Sequence, residues 1–222
     1  MMRLLLLRNL LLVFCLTGCT VEPASQALLD AIQHARANGA AHENAPPLDP
    51  RFNYLRVQIG AREAFMARGY VDSDPDGPVE IWYSASGEVL RLRDGRLVGA
   101  ILKMGTDWLS VSFTGLPRWD EIGEQASFGR SRDVSPGYQY GIREQMLIRR
   151  IPPPGDSHLQ LIPAASLTWF EEHAEGAASL PPARYGVSME GAVPQAVYGE
   201  QCLDHDFCFS WQRWAAAEEG KH

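Results

Sequence analysis

The sequence predicts a mainly β protein: an antiparallel β-barrel-like or sandwich domain, with a short N-terminal helix after a lipoprotein signal peptide. Three observations lead there. Short runs of alternating apolar and polar residues recur from Arg51 to Trp214. Turn-forming residues separate them at roughly the 8–12-residue spacing of all-β folds. No long helical pattern alternates with these runs, so a doubly wound parallel sheet is excluded. With 222 residues, 45% hydrophobic and 21% charged, the chain can bury a core, and wholesale disorder is excluded. A formal charge of −7 lacks the basic footprint that a sequence-independent grip on nucleic acid requires.

The elements follow in order. Arg3 and Arg8 precede a short uncharged apolar run, Leu10 to Leu16, which fits a secretory signal and is too short to span a bilayer. Leu16-Thr17-Gly18-Cys19 resembles the lipobox of bacterial lipoproteins. That resemblance implies cleavage of residues 1–18 as a signal peptide and acylation of Cys19, with several acyl chains giving a durable membrane anchor. Thr20, by resemblance to enterobacterial sorting rules, directs the product to the outer membrane, on its periplasmic face. Cys15 lies in the excised segment.

Residues 19–50 are expected to form a lipidated tether. Leu28, Leu29, Ile32 and Ala35 share one helical face behind a Ser25 cap. Pro46, Pro47 and Pro50 then mark a linker. The helix either docks on the domain or spaces it from the membrane, with docking preferred.

A single antiparallel β domain is expected over 51–214, and a flexible tail over 215–222. Leu55, Val57 and Ile59 open the alternation; Glu63–Tyr70, Val79–Tyr83 and Leu109–Phe113 continue it. The clearest local signal is Val89 to Val98, where Asp94-Gly95 lies between alternating apolar and basic residues and predicts a type I′ hairpin. Its register sets Leu92 opposite Leu97 and Arg93 opposite Arg96, a like-charged tip expected to lie exposed. Further strands are expected at 127–133, 140–151, 158–162, 167–173, 184–189, 196–201 and 207–214. Pro152-Pro153-Pro154-Gly155 and Pro181-Pro182 are firm breaks.

Candidate chemistry is sparse. If 196–201 pairs with 207–214, the turn brings Cys202 and Cys208 face to face, and in an oxidising compartment they form a disulfide. A metal site using His205, Asp204 and Asp206 is the competing reading, but the Cys-x2-His-x2-Cys spacing is not a familiar zinc pattern. Glu171 and Glu172 beside Trp169-Phe170 suggest a glycosidase pair, yet adjacent strand residues point to opposite faces. They are expected to be a solvated strand end, with His173 on the surface. There is no G-x-S-x-G elbow, H-E-x-x-H, phosphate-cradling loop or S-x-x-K. The expectation is therefore no catalytic residue, no metal and no cofactor. Trp82, Tyr83, Trp108, Trp119, Tyr138, Tyr140, Trp211 and Trp214 are expected mostly in the core or in cross-strand pairs, with sugar stacking the lesser role.

Lipobox Cys19, the Pro-rich linker, the run Arg51 to Gly60 and the Asp94-Gly95-Arg96-Leu97-Val98 hairpin together resemble the YjbF/GfcB lipoproteins of group 4 capsule and exopolysaccharide operons. The resemblance covers about residues 45–155; the C-terminal third departs from it. It implies a barrel-like domain at the periplasmic face of the outer membrane, non-catalytic in polysaccharide export. The implied partners are an outer-membrane β-barrel, periplasmic export proteins and the polysaccharide, with only Cys19 carried over as a functional residue. A lipid-anchored carbohydrate-active hydrolase and an envelope assembly scaffold are the alternatives.

Overall fold

A computed structural model describes residues 48–102, 105–176 and 179–215. The signal peptide, Cys19, the expected helix and all of the tail beyond Ala215 lie outside the described residues.

Strands β1 (Tyr54–Ile59), β2 (Arg62–Asp72), β3 (Val79–Ser84), β4 (Val89–Arg93), β5 (Arg96–Ile101), β6 (Asp107–Thr114), β7 (Gln125–Ser135), β8 (Gln139–Ile151), β9 (Thr168–Ala174), β10 (Ala183–Ser188), β11 (Gln195–Cys202) and β12 (Cys208–Trp214) follow one another as a meander. Each pairs antiparallel with its sequence neighbour, and β12 returns to β1, so the sheet closes into a barrel rather than splitting into a sandwich. Closure removes the free edges that an open sheet would expose. The chain enters at Tyr54 and leaves at Trp214 on one rim, the proximal rim; the β1–β2 and β11–β12 turns lie on the distal rim.

Alternation decides what faces the lumen. Leu55, Val57, Phe128, Met146, Ile148, Phe170, Tyr185 and Trp211 join one buried cluster. Their neighbours Ser127, Arg149, Glu171, Arg184 and Ser210 therefore point outward. A transmembrane barrel has the opposite plan, an apolar outer band around a polar interior.

Eight strands make a barrel that wall side chains can just fill. This twelve-strand ring is wider, and two chain segments enter it. The β4–β5 hairpin has the expected register, Leu92 with Leu97 and Arg93 with Arg96. Its tip, however, bends inward, until a Cβ on Gly95 would lie 2.3 Å from the Ala196 Cβ and 3.3 Å from the Trp211 ring on the far wall. With φ +80, Gly95 is required twice: by the turn and by this approach. The β5–β6 seam pays for the bend, keeping a single bridge, Ala100 to Trp108. The second segment is the β6–β7 loop, whose Trp119 and Ile122 join the core.

One expected strand is absent. Residues 158–162 form part of a strap, the β8–β9 connection, lying on the outer wall. Its backbone bonds go to side chains: His158 N donates to Tyr198 Oη at 2.8 Å, and Gln160 N to Gln212 Oε1 at 2.9 Å. Gln212 Nε2 donates back to Gln160 O at 2.7 Å. The polar–apolar alternation of His158 to Ile162 is real, but its polar positions meet barrel side chains instead of a ladder.

Candidate functional site

The lumen is charged as well as filled. Arg96 and Glu172, expected on the surface, are 1% and 4% exposed and joined Nε to Oε1 at 2.7 Å. Arg96 also lies over the Trp119 ring, 3.5 Å from its centroid, and Trp119 Nε1 donates to Asp94 O at 3.1 Å. The loop tryptophan thus seals the hairpin arginine beneath it. The like-charged tip is tolerated because each arginine has its own acid: Arg93 donates to Asp74 at 2.7 Å. Tyr185 packs on Trp119 beside this pair, and burial pushes its hydroxyl pKa up, with the Glu172 charge adding to the shift.

Toward the distal rim Arg130 and Arg132 both donate to Glu144 at 2.7 Å. Burial opposes ionisation of Glu144, but the two guanidiniums outweigh it and hold the carboxyl below its ordinary range. The same rim is closed by the β11–β12 turn, where Cys202 and Cys208 form a disulfide across the hairpin mouth. Leu203 inside that turn is buried, and its carbonyl accepts from Trp108 Nε1 at 2.9 Å. The disulfide therefore braces a turn that plugs the barrel. Asp204 Oδ1 accepts from the Asp206 and Phe207 amides, and no metal-holding group of side chains occurs among the described residues.

Two concave regions stand out among the described residues. One, of about 890 Å³, is the proximal mouth, bordered by Glu80, Arg93, Asp94, Phe113, Trp119 and Arg213. Asp94 is pushed up by burial, partly offset by Arg96. Glu80 is held low: burial opposes its ionisation, but Arg213 and then Arg68 prevail. Arg213 and Arg68 both engage Glu80, so its oxygens are already taken.

The other, of about 970 Å³, is a groove on the outer wall. Its floor is one register row. Glu171 pairs with Arg184, Arg184 with Glu200, Glu200 with Ser210, and Ser210 with Gln58, while Arg149, paired with Glu171, lies just beyond its end. Four steps at 4.7–4.9 Å make a row about 19 Å long. The strap forms one bank, with Asp156 bonded to Arg184 at 2.6 Å. Gly60, Arg62 and Phe207 of the distal turns form the other. Glu171 and Glu172, adjacent in sequence, thus serve opposite sides of the wall. Sequence reasoning placed Trp119 in the core, as found, but gave Arg96 to solvent and did not single out Arg184.

A closed up-and-down barrel with a packed lumen and a polar outer groove is the class these features define. The fold is similar to the crystal structure of the hypothetical lipoprotein YmcC from Escherichia coli (K12), with a TM-score of 0.57 and 13% identity, over 89% of this chain and 97% of that one. At this identity the likeness concerns the fold. No family model matches the chain, and no curated protein matches it.

Proposed function

We propose that the protein is a lipoprotein of the bacterial envelope, acylated at Cys19 and held at the periplasmic face of the outer membrane. There it acts as a non-catalytic accessory in capsule or exopolysaccharide secretion. The observation that carries the reading is the inside-out polarity of the barrel: a packed lumen leaves the outer wall and its groove as the working surface. A pore would need the lumen, which is filled. The lipobox, the fold shared with a lipoprotein, and the YjbF/GfcB-like Arg51–Gly60 run and Asp94–Val98 hairpin support it. Deleting the gene should lower surface polysaccharide, with rescue by the wild-type chain and none by Cys19→Ala, which should also lose radiolabelled palmitate. Unchanged polysaccharide in the deletion strain contradicts the reading and turns attention to envelope assembly.

A second reading has one observation in its favour. In the proximal mouth Asp94 is displaced upward, as a general acid requires, while Glu80 is displaced downward. The engagement of Glu80 by two arginines argues against it as base or nucleophile. Polysaccharide hydrolysis by the purified protein that disappears in Asp94→Asn would establish this reading over the first.

A further inference from the structure

We infer that the outer-wall groove binds a linear glycan, and that it selects neutral chains over acidic ones. The inference rests on the export reading and adds a site and a ligand class to it. The groove has the length for several sugar rings, and its floor presents what hydroxyl groups require: carboxylate acceptors and guanidinium donors in one row, held by cross-strand pairing before any ligand arrives. Preorganisation of this kind spares the ligand the entropic cost of ordering its site.

Unused capacity faces the groove. Both guanidinium bonds from Arg149 reach Oε1 of Glu171, which leaves Oε2 free to accept. The Arg62 guanidinium, on the distal bank, has no hydrogen bond or ion pair among the described residues. The strap fixes the opposite bank, because Arg56 Nη1 donates to His158 O at 3.1 Å while Asp156 holds Arg184.

Charge decides the ligand class. The groove sets two arginines, Arg62 and Arg184, against four carboxylates, Asp156, Glu171, Glu200 and Asp206. Arg184 is already committed to Asp156 and Glu200. A chain of uronates would face this acid excess with one uncommitted cation, whereas a neutral chain meets hydrogen-bonding groups and the apolar surfaces of Ile59, Pro182 and Phe207 without that repulsion. An extended peptide is the weaker occupant, because the closed barrel offers no strand edge for augmentation.

The test titrates detergent-solubilised full-length protein with oligosaccharides from the producing cell's own extracellular polysaccharide. Neutral and acidic fractions are separated by anion exchange, and binding is read by calorimetry and saturation-transfer NMR. The expected result is saturable binding of the neutral fraction, weakened about fivefold by Glu171→Gln and by Arg62→Ala, the worth of one lost hydrogen bond each. Arg118→Ala, at the opposite rim, should leave binding unchanged. Both groove substitutions are at the surface, and unchanged melting temperatures certify their folds. Failure to bind the neutral fraction, acidic chains binding as tightly, or groove variants binding like wild type each overturns the inference. Gene deletion separates the two readings: lost export without glycan binding defeats the site alone, and glycan binding without an export defect defeats the function alone.

Discussion

Glu171 and Glu172 are consecutive residues of β9, and each is paired with an arginine, but they occupy different physical worlds. Glu172 faces the lumen and meets Arg96 where neither side chain touches water. Glu171 faces outward and meets Arg149, whose side chain is half exposed. The same bond chemistry, one residue apart, has different consequences because solvent can replace one partner and not the other. The barrel wall is the boundary between these regimes: structural charge inside, solvent-accessible charge outside.

The largest effect expected is from Glu172→Ala, which strands the Arg96 guanidinium in the core. Removing one partner of a buried pair costs about 3–5 kcal/mol, so urea unfolding should show a midpoint sharply reduced or no folded protein. Replacing both, Arg96→Met with Glu172→Leu, should recover most of that loss, since a buried pair itself is worth little against apolar packing. A double variant as unstable as the single would show that Arg96 has another essential partner.

Trp119→Ala comes next. It removes the ring over Arg96 and opens the proximal mouth, and large-to-small changes of this kind cost about 3 kcal/mol or more. Its unfolding should also become more sensitive to salt, because Arg96 then meets solvent. Breaking the disulfide with Cys202→Ser is expected to cost only about 2 kcal/mol in the chain-entropy model, because the closed loop is short. Reduced and oxidised melting curves of the wild type measure the same quantity. Glu171→Gln is the smallest, below about 1 kcal/mol, as for exposed ion pairs generally. A Glu171→Gln loss equal to that of Glu172→Ala would erase the distinction between the two sides.

Acid sharpens the comparison. Glu80 and Glu144 face the lumen with pKa values held below their unfolded values. The folded state therefore binds these protons less readily than the unfolded one. Their stabilisation is complete above the ordinary glutamate range and is lost as pH falls through the lowered folded values. Stability should decline on acidification below about pH 4.5, with Glu144→Gln flattening part of the slope.

Much of this wall was legible in the sequence. Period-two alternation located the strands, and Asp94-Gly95 fixed the β4–β5 turn and its register. Alternation also separated Glu171 from Glu172. What it could not supply was the third dimension of closure. Whether Arg96 lies in solvent or core depends on the inward bend of a hairpin whose local pattern is the same in both cases. That bend is set by contacts with Ala196 and Trp211, about a hundred residues away in the chain. The strap was misread for a related reason: polar residues meeting Tyr198 and Gln212 alternate just as those of a half-buried strand do. The groove itself was invisible, because its row takes one residue from each of five strands, with no local signature in any one of them.

The packed lumen is the claim on which the rest depends, and Trp82, Trp108, Trp119 and Trp211 report on it directly, while Trp169 is sealed beneath the strap on the outer wall. Five of the six, Trp82, Trp108, Trp119, Trp169 and Trp211, are 0–2% exposed, and Trp214 is half-buried at the proximal rim. Acrylamide quenching of the full-length protein should resolve a small accessible fraction that disappears in Trp214→Phe, leaving emission nearly indifferent to quencher. Uniform, efficient quenching that persists in Trp214→Phe would mean a water-filled barrel and would contradict the account.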